Sequence, residues 1–153
     1  MKIFYITLIF LFISKIDAVN KYSRSSFHFH SYPTKTNIGY YTKKHCKTNI
    51  DHVVSLKDAF DSGAFNWTLE QRKDFANDKE NHVPSCYRIN SSKGSATPKG
   101  FLRRSNDKKG LDYEIINFCN YVNTYFKIKK KYNLSLKNND SYLFNKCSIK
   151  LKN

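Results

Sequence analysis

Carboxylates are scarce in this chain: 12 Asp and Glu stand against 27 Lys and Arg over 153 residues, a formal net charge of +15. That surplus exceeds what solubility asks for and points to a polyanionic partner, whether nucleic acid, an anionic lipid surface or an acidic glycan. A bias toward Lys, Asn and Ile codons is the plainer account of part of it. Long apolar runs are missing too. The run from Ile3 to Ile13 is about eleven residues, short of the roughly 20 that cross a bilayer. It follows Met1-Lys2 and precedes Ile16-Asp17-Ala18, so residues 1–18 read as a secretory signal peptide cut after Ala18, with an uncleaved anchor as the rival. Lys2, Lys15 and Asp17 leave with it, and +15 becomes +14. There is no Cys-x-x-Cys, which disfavours a zinc knuckle, no internal repeat, and nothing like a base-reading module such as a zinc-finger array. The length suits one domain with a modest core.

Four cysteines remain after cleavage: Cys46, Cys86, Cys119 and Cys147. An even count in a secreted chain suggests two disulfides with three connectivities. Cys46–Cys86 is favoured because each lies on one of two short strands around the stretch described next, which leaves Cys119–Cys147 to tie the tail to the last helix. His28-Phe29-His30 would put two imidazoles on one face of a strand, but no further ligands follow at useful spacing, so a surface strand is the expectation. Ser55 to Ser62 has helical spacing. Thr68-Leu69-Glu70-Gln71 reads as a capping box, opening a second helix that ends near Asn77-Asp78. Val83 to Ile89 is strand-like, and Ser91 opens a short helix broken at Pro98. Asp112 to Lys131 carries the longest helical period. Lys137 to Asp140 is a turn, and Ser141 to Lys152 is expected to add a final strand.

The stretch from Ile50 to Gly94 carries the chemistry. Asp51-His52-Val53-Val54 ends one short apolar run, and Asn90-Ser91-Ser92-Lys93-Gly94 follows another. Hydrolysing a phosphodiester needs an activated water and neutralised charge on the phosphoryl and leaving oxygens; a neutral His supplies the first and a hard divalent cation the second. Asp51 offers a carboxylate oxygen and Asn90 an amide oxygen, which suits magnesium, an ion that takes few protein ligands. Neighbours on a regular strand face opposite ways, so Asp51 and His52 share a site only at a strand end or irregularity.

These residues, with Asp58-Ala59-Phe60-Asp61-Ser62-Gly63-Ala64, Trp67, Phe75-Ala76-Asn77-Asp78 and Glu80-Asn81 between them, resemble the HNH (His-Me finger) endonucleases. The likeness is closest to small secreted HNH proteins, and more distant to the HNH domain at the C-terminus of GmrSD-type restriction enzymes; it covers roughly Cys46 to Leu134. It implies an α+β fold: a ββα-metal finger embedded in a mostly helical, disulfide-stabilised domain over residues 46–153, with residues 19–45 as an N-terminal extension. It also implies His52 as general base, Asp51 and Asn90 as metal ligands, Asn81 holding the loop and orienting His52, and Lys93 facing the phosphate. The outer His positions of the family pattern are Asp51 and Asn90 here, variants that favour magnesium, with manganese or zinc as alternatives.

The expected activity is that of a secreted endonuclease cutting DNA, with RNA as the other candidate, at little sequence specificity. Arg72, Lys93, Lys99, Arg103, Arg104, Lys108, Lys109 and the run Lys127 to Lys131 are the candidate phosphate contacts. No integral membrane association is expected after signal removal, and the sequence points to no particular inhibitor protein. The alternative is a catalytically inactive basic nucleic-acid-binding or effector protein on the same scaffold; a membrane-active protein ranks last. Asn66, Asn90, Asn133 and Asn139 each begin a glycosylation sequon, and a glycan on Asn90 would remove a ligand.

Overall fold

The sheet is a short strand pair. In the computed structural model, which describes residues 21–109, 111–136 and 141–149, β1 (Thr48–His52) runs antiparallel to β2 (His82–Cys86). The register sets Thr48 opposite Cys86 and His52 opposite His82. Pro84, which has no N–H to give, sits in β2 and accepts at its carbonyl from the Tyr40 amide at 2.8 Å. The leader expected over residues 1–18 and the turn expected over 137–140 lie outside the described residues.

Two helices fill the connection between the strands. α1 (Leu56–Asp61) starts where the Ser55 hydroxyl accepts from the Asp58 amide, a satisfied N-cap. α2 (Leu69–Asn77) opens on the expected capping box, with both reciprocal bonds between Thr68 and Gln71 made. After β2 the chain passes straight into α3 (Tyr87–Lys93), then α4 (Pro98–Arg104), α5 (Phe118–Lys131) and α6 (Ser141–Lys146). The result is a small mixed α and β domain with one two-stranded sheet among the described residues.

α5 closes the core. Its buried face carries Tyr121, Val122, Tyr125, Ile128 and Lys129. Tyr121, Tyr41 and Phe101 meet edge to face, with ring centroids 4.9–5.6 Å apart. Lys129 is on this face because Asp58 of α1 is there to meet it, Nζ to Oδ1 2.9 Å, while Tyr125 donates to the other Asp58 oxygen at 2.7 Å. Burial pushes the Lys129 pKa down, and the Asp58 carboxylate partly offsets it.

Both disulfides join the favoured partners, Cys46–Cys86 with Cα atoms 5.6 Å apart and Cys119–Cys147 with 5.1 Å. Gly39 lies directly against the first of them; a Cβ there would collide with the Cys86 sulfur. The segment expected as an extension is part of the core, since Phe27 and Tyr41 are buried in it.

Several expected elements differ. β2 ends at Cys86, and the next amide, Tyr87, bonds to Lys47 O before the chain turns into α3. Pro98 does not break a helix but opens one, at a first-turn position where its missing N–H costs nothing. The long helix starts at Phe118 rather than Asp112, because residues 112–115 alternate exposed and buried, with Tyr113 and Ile115 inward. That is the period of extended chain. The final strand expected from Ser141 is the helix α6, held by Cys119–Cys147. His28 closes a single 3-10 turn in left-handed conformation, and neither His28 nor His30 lies on a strand.

Candidate functional site

Asp51 and His52 are the last two residues of β1, where the pleat ends and adjacent side chains reach one cavity of about 300 Å³ that Asn90 of α3 also lines. Both are almost out of solvent, Asp51 5% and His52 4% exposed.

His52 Nε2 is 2.7 Å from the Ala76 carbonyl. A carbonyl only accepts, so Nε2 carries the proton and Nδ1 keeps the lone pair. His82, opposite on β2, puts its own Nε2 on the same carbonyl at 2.9 Å and takes the Tyr32 hydroxyl at Nδ1 at 2.9 Å. The two imidazoles stand perpendicular, 4.6 Å apart, with Phe29 4.6 Å from His52 on another side. Burial pushes the His52 pKa down to about 3, the Ala76 bond works against it, and the charges of Lys93 and Arg24 add to it. Burial lowers His82 as well. Both rings are therefore neutral at pH 7.

A stability consequence follows from those directions. Below the ordinary His pKa of 6.5 the unfolded chain takes up protons that the folded rings refuse, so stability present above about pH 6.5 drains away as pH falls toward 3. The His52 shift alone corresponds to on the order of 5 kcal/mol across that window. Thermal melts from pH 7 to pH 4 should show a fall that His52→Gln makes shallower; parallel curves for the two proteins would contradict the assignment.

Asp51 is held by three bonds. Oδ2 accepts from Tyr41 at 2.6 Å and from Lys93 Nζ at 3.0 Å, and Oδ1 from Lys93 at 3.2 Å. Four lone-pair positions less these three leave one, on Oδ1. Burial and the Asp51 charge together push the Tyr41 hydroxyl pKa well up. Asn90 donates its amide N–H to Asn49 Oδ1 at 2.9 Å, with Ile50 O at 3.5 Å, and among the described residues no donor reaches its Oδ1. Asn81 is fully buried and ties down the chain after β1: its amide accepts from Val54 N at 2.8 Å and donates to Val54 O at 3.0 Å, and its carbonyl takes Val53 N at 2.8 Å.

Two expected phosphate contacts are corrected. Lys93 is 0% exposed and turned inward, bonded to Asp51 and to His52 O at 2.8 Å. Three residues after Asn90 on α3, it shares the inward face of that helix. Arg72 is buried, donating to Ala64 O, Phe65 O and Ser26 Oγ and lying 5.4 Å from the Phe60 ring. Arg104 is half-buried and caps α3, donating to Ser92 O and Lys93 O. Lys99, Arg103, Lys108, Lys109, Lys127 and Lys130 are exposed, Lys131 pairs with Asp78 and Glu80, and Lys129 is the buried partner of Asp58. Asn66 and Asn133 are exposed sequon residues, whereas the Asn90 amide nitrogen is engaged.

Sequence reasoning missed Tyr41, which holds Asp51; the Tyr32–His82 pair behind His52; and Arg24, which lines the cavity from the segment read as an extension. Only His82, next to Asn81, stood close enough to the motif to be read.

Among the described residues no three His, Cys, Asp or Glu side chains gather as a metal cluster. The donors that fit a hard cation are the open lone pair of Asp51 and the undonated Asn90 oxygen, one carboxylate and one amide on one cavity. No helix among the described residues is long and apolar enough to cross a membrane.

Comparison with known proteins adds two findings. The family model described as the C-terminal domain of GmrSD restriction endonucleases matches residues 14–141. An "Uncharacterized secreted protein" of Arthroderma benhamiae is 36% identical over 90 residues, which is 58% of this chain. That stretch is 40% of the relative's own length, so the chain spans well under half of it. No solved structure matches.

Proposed function

The chain belongs to the family of GmrSD restriction endonuclease C-terminal domains, and on that premise we propose that it is a secreted, metal-dependent endonuclease that hydrolyses phosphodiester bonds of nucleic acid, DNA first, with little sequence preference. The family brings nuclease chemistry of the HNH type. In this reading β1, β2 and α3 are the ββα-metal finger, residues 1–18 are the signal peptide, and the nuclease domain includes the chain from residue 21 on. Two disulfides and the secreted relative support delivery to an oxidising compartment.

The observation that carries the proposal is convergence: Asp51, His52 and Asn90 line one cavity, and a backbone carbonyl fixes His52 as a neutral imidazole with the lone pair on Nδ1. His52 Nδ1 takes the proton of the water that attacks phosphorus, and the bond from phosphorus to the 3′ oxygen breaks. Asn81 keeps the loop after β1 in place, so that His52 keeps its aim. Asp51 and Asn90 are the residues that would hold a divalent cation, magnesium by donor type; bound there, it supplies neutralisation of the phosphoryl and leaving-oxygen charge. Lys93 holds Asp51 by its ammonium and His52 by its carbonyl.

The same Lys93 contact favours the second reading, a basic binding protein without catalysis, because an ammonium already occupies most of the Asp51 carboxylate. A plasmid-relaxation assay on the oxidised protein, with magnesium or with EDTA, separates them. We expect magnesium-dependent nicking that Asn90→Ala reduces by roughly 10²-fold. Salt-sensitive DNA binding by folded protein that cuts under no divalent metal would establish the second reading instead.

A further inference from the structure

Beside the candidate site lies a second cleft, of about 550 Å³, a size at which small organic ligands are bound. β1 forms one side through Thr48, Asn49 and Ile50, the loop from Ser31 to Thr34 another, and Tyr87 of α3 the end. It adjoins the first cavity through three shared residues, Arg24, Ile50 and Asn90. A molecule seated in it therefore ends where the candidate chemistry begins.

Three features say what that molecule is. Tyr87 is an aromatic left 48% exposed one helical turn before Asn90, with the Lys47 ammonium 5.6 Å from its ring. Arg24 is exposed at the junction of the two cavities, and among the described residues no acidic side chain pairs with it. Beyond Tyr87 a further cleft of about 460 Å³ carries Arg88 and Lys109. An accessible ring flanked by cations on either side is how proteins grip unpaired nucleotides: the bases stack, the phosphates are neutralised, and sequence matters little. A duplex offers no such base face, because each base is covered by its neighbours.

We propose that this cleft is a nucleotide subsite, in which an unpaired base stacks on Tyr87 and the phosphate on its candidate-site side meets Arg24, so that the ligand it selects is single-stranded nucleic acid. The inference rests on the nuclease reading for its position but not for its test. Stacking on Tyr87 holds the strand across α3, and the cations of the next cleft continue the backbone path. The requirement is for an unpaired base and a phosphate; either sugar supplies both.

Fluorescence anisotropy in EDTA, where nothing is cut, reads the subsite directly, using labelled oligodeoxyuridylate, oligouridylate and a short DNA duplex. Tyr87→Ala should weaken single-strand binding by about 5- to 100-fold while duplex binding changes by less than about twofold. Tyr87→Phe should restore it, which a merely structural role for the hydroxyl would not allow. Arg24→Gln should reduce the slope of log affinity against log salt by about one, and Tyr87→Ala should leave that slope alone. The ratio of the two single strands tells which sugar is preferred. Equal losses on single strand and duplex, or no loss on either, overturn the subsite. A protein that nicks plasmid yet ignores Tyr87→Ala leaves the nuclease reading standing and removes this one; a protein that never nicks but shows the Tyr87 effect does the reverse.

Discussion

Replacing His52 with glutamine should lower magnesium-dependent nicking by a factor of roughly 10² to 10⁴, the usual worth of a general base, with little change in fold. Glutamine is the informative choice. Its side-chain amide reaches about as far as Nε2 and donates to the Ala76 carbonyl, which now takes the His52 proton at 2.7 Å. It has no basic nitrogen to accept the proton of a water. His52→Ala should lose as much activity, but it also empties a space bounded by Phe29 and His82, so its losses mix chemistry with packing. Initial nicking rates of the two variants beside wild type, with near-ultraviolet dichroism as the check on fold, separate the effects. A glutamine protein that keeps a tenth or more of the wild-type rate removes His52 from the role of base.

What the sequence made readable, and what it did not, divides along one physical line. Bonds between residue types that have few alternative partners were legible. The Thr68–Gln71 capping box is made by residues three apart, and the cysteine pairs follow once two strands and a last helix are granted. Contacts in which a charged side chain folds inward were not legible from charge alone. Lys93 and Arg72 look like phosphate ligands to anyone counting cations, yet each sits on the buried face of its helix, Arg72 with Phe75 and Ala76, Lys93 with Ile89. The i, i+3 and i, i+4 spacing held that information. It became decisive only when partners were in view: Asp51 for Lys93, and two carbonyls and a serine hydroxyl for Arg72. The long helix fails at its start for a related reason. Asp112 to Asn117 fits a helical period as letters, but Ile116 N bonds to Tyr41 O and Tyr113 N to Ser105 O, and those distant acceptors draw the segment out straight.

Lys93→Met should cost about 3–5 kcal/mol of stability, a fall in melting temperature of roughly 10–20 °C. Methionine fills nearly the same volume, so the loss is electrostatic rather than a cavity. It leaves a carboxylate that is 5% exposed with the Tyr41 hydroxyl as its remaining partner. It also strips the His52 carbonyl of its donor. Taking Asp51→Asn together with Lys93→Met should recover most of the loss, since a neutral amide no longer needs the cation. Unequal recovery in the double-mutant cycle measures the coupling. The variant also decides how the site treats a metal. Wild-type Asp51 already has its counter-ion, whereas the Lys93→Met protein has a bare carboxylate beside the open oxygen of Asn90. Magnesium should then raise the melting temperature of Lys93→Met by more than it raises that of wild type, because a ligand that prefers the folded state stabilises it in proportion to its affinity. If magnesium moves the two proteins equally, Asp51 and Asn90 do not hold the ion, and the ammonium of Lys93 is the only cation the carboxylate was built to meet.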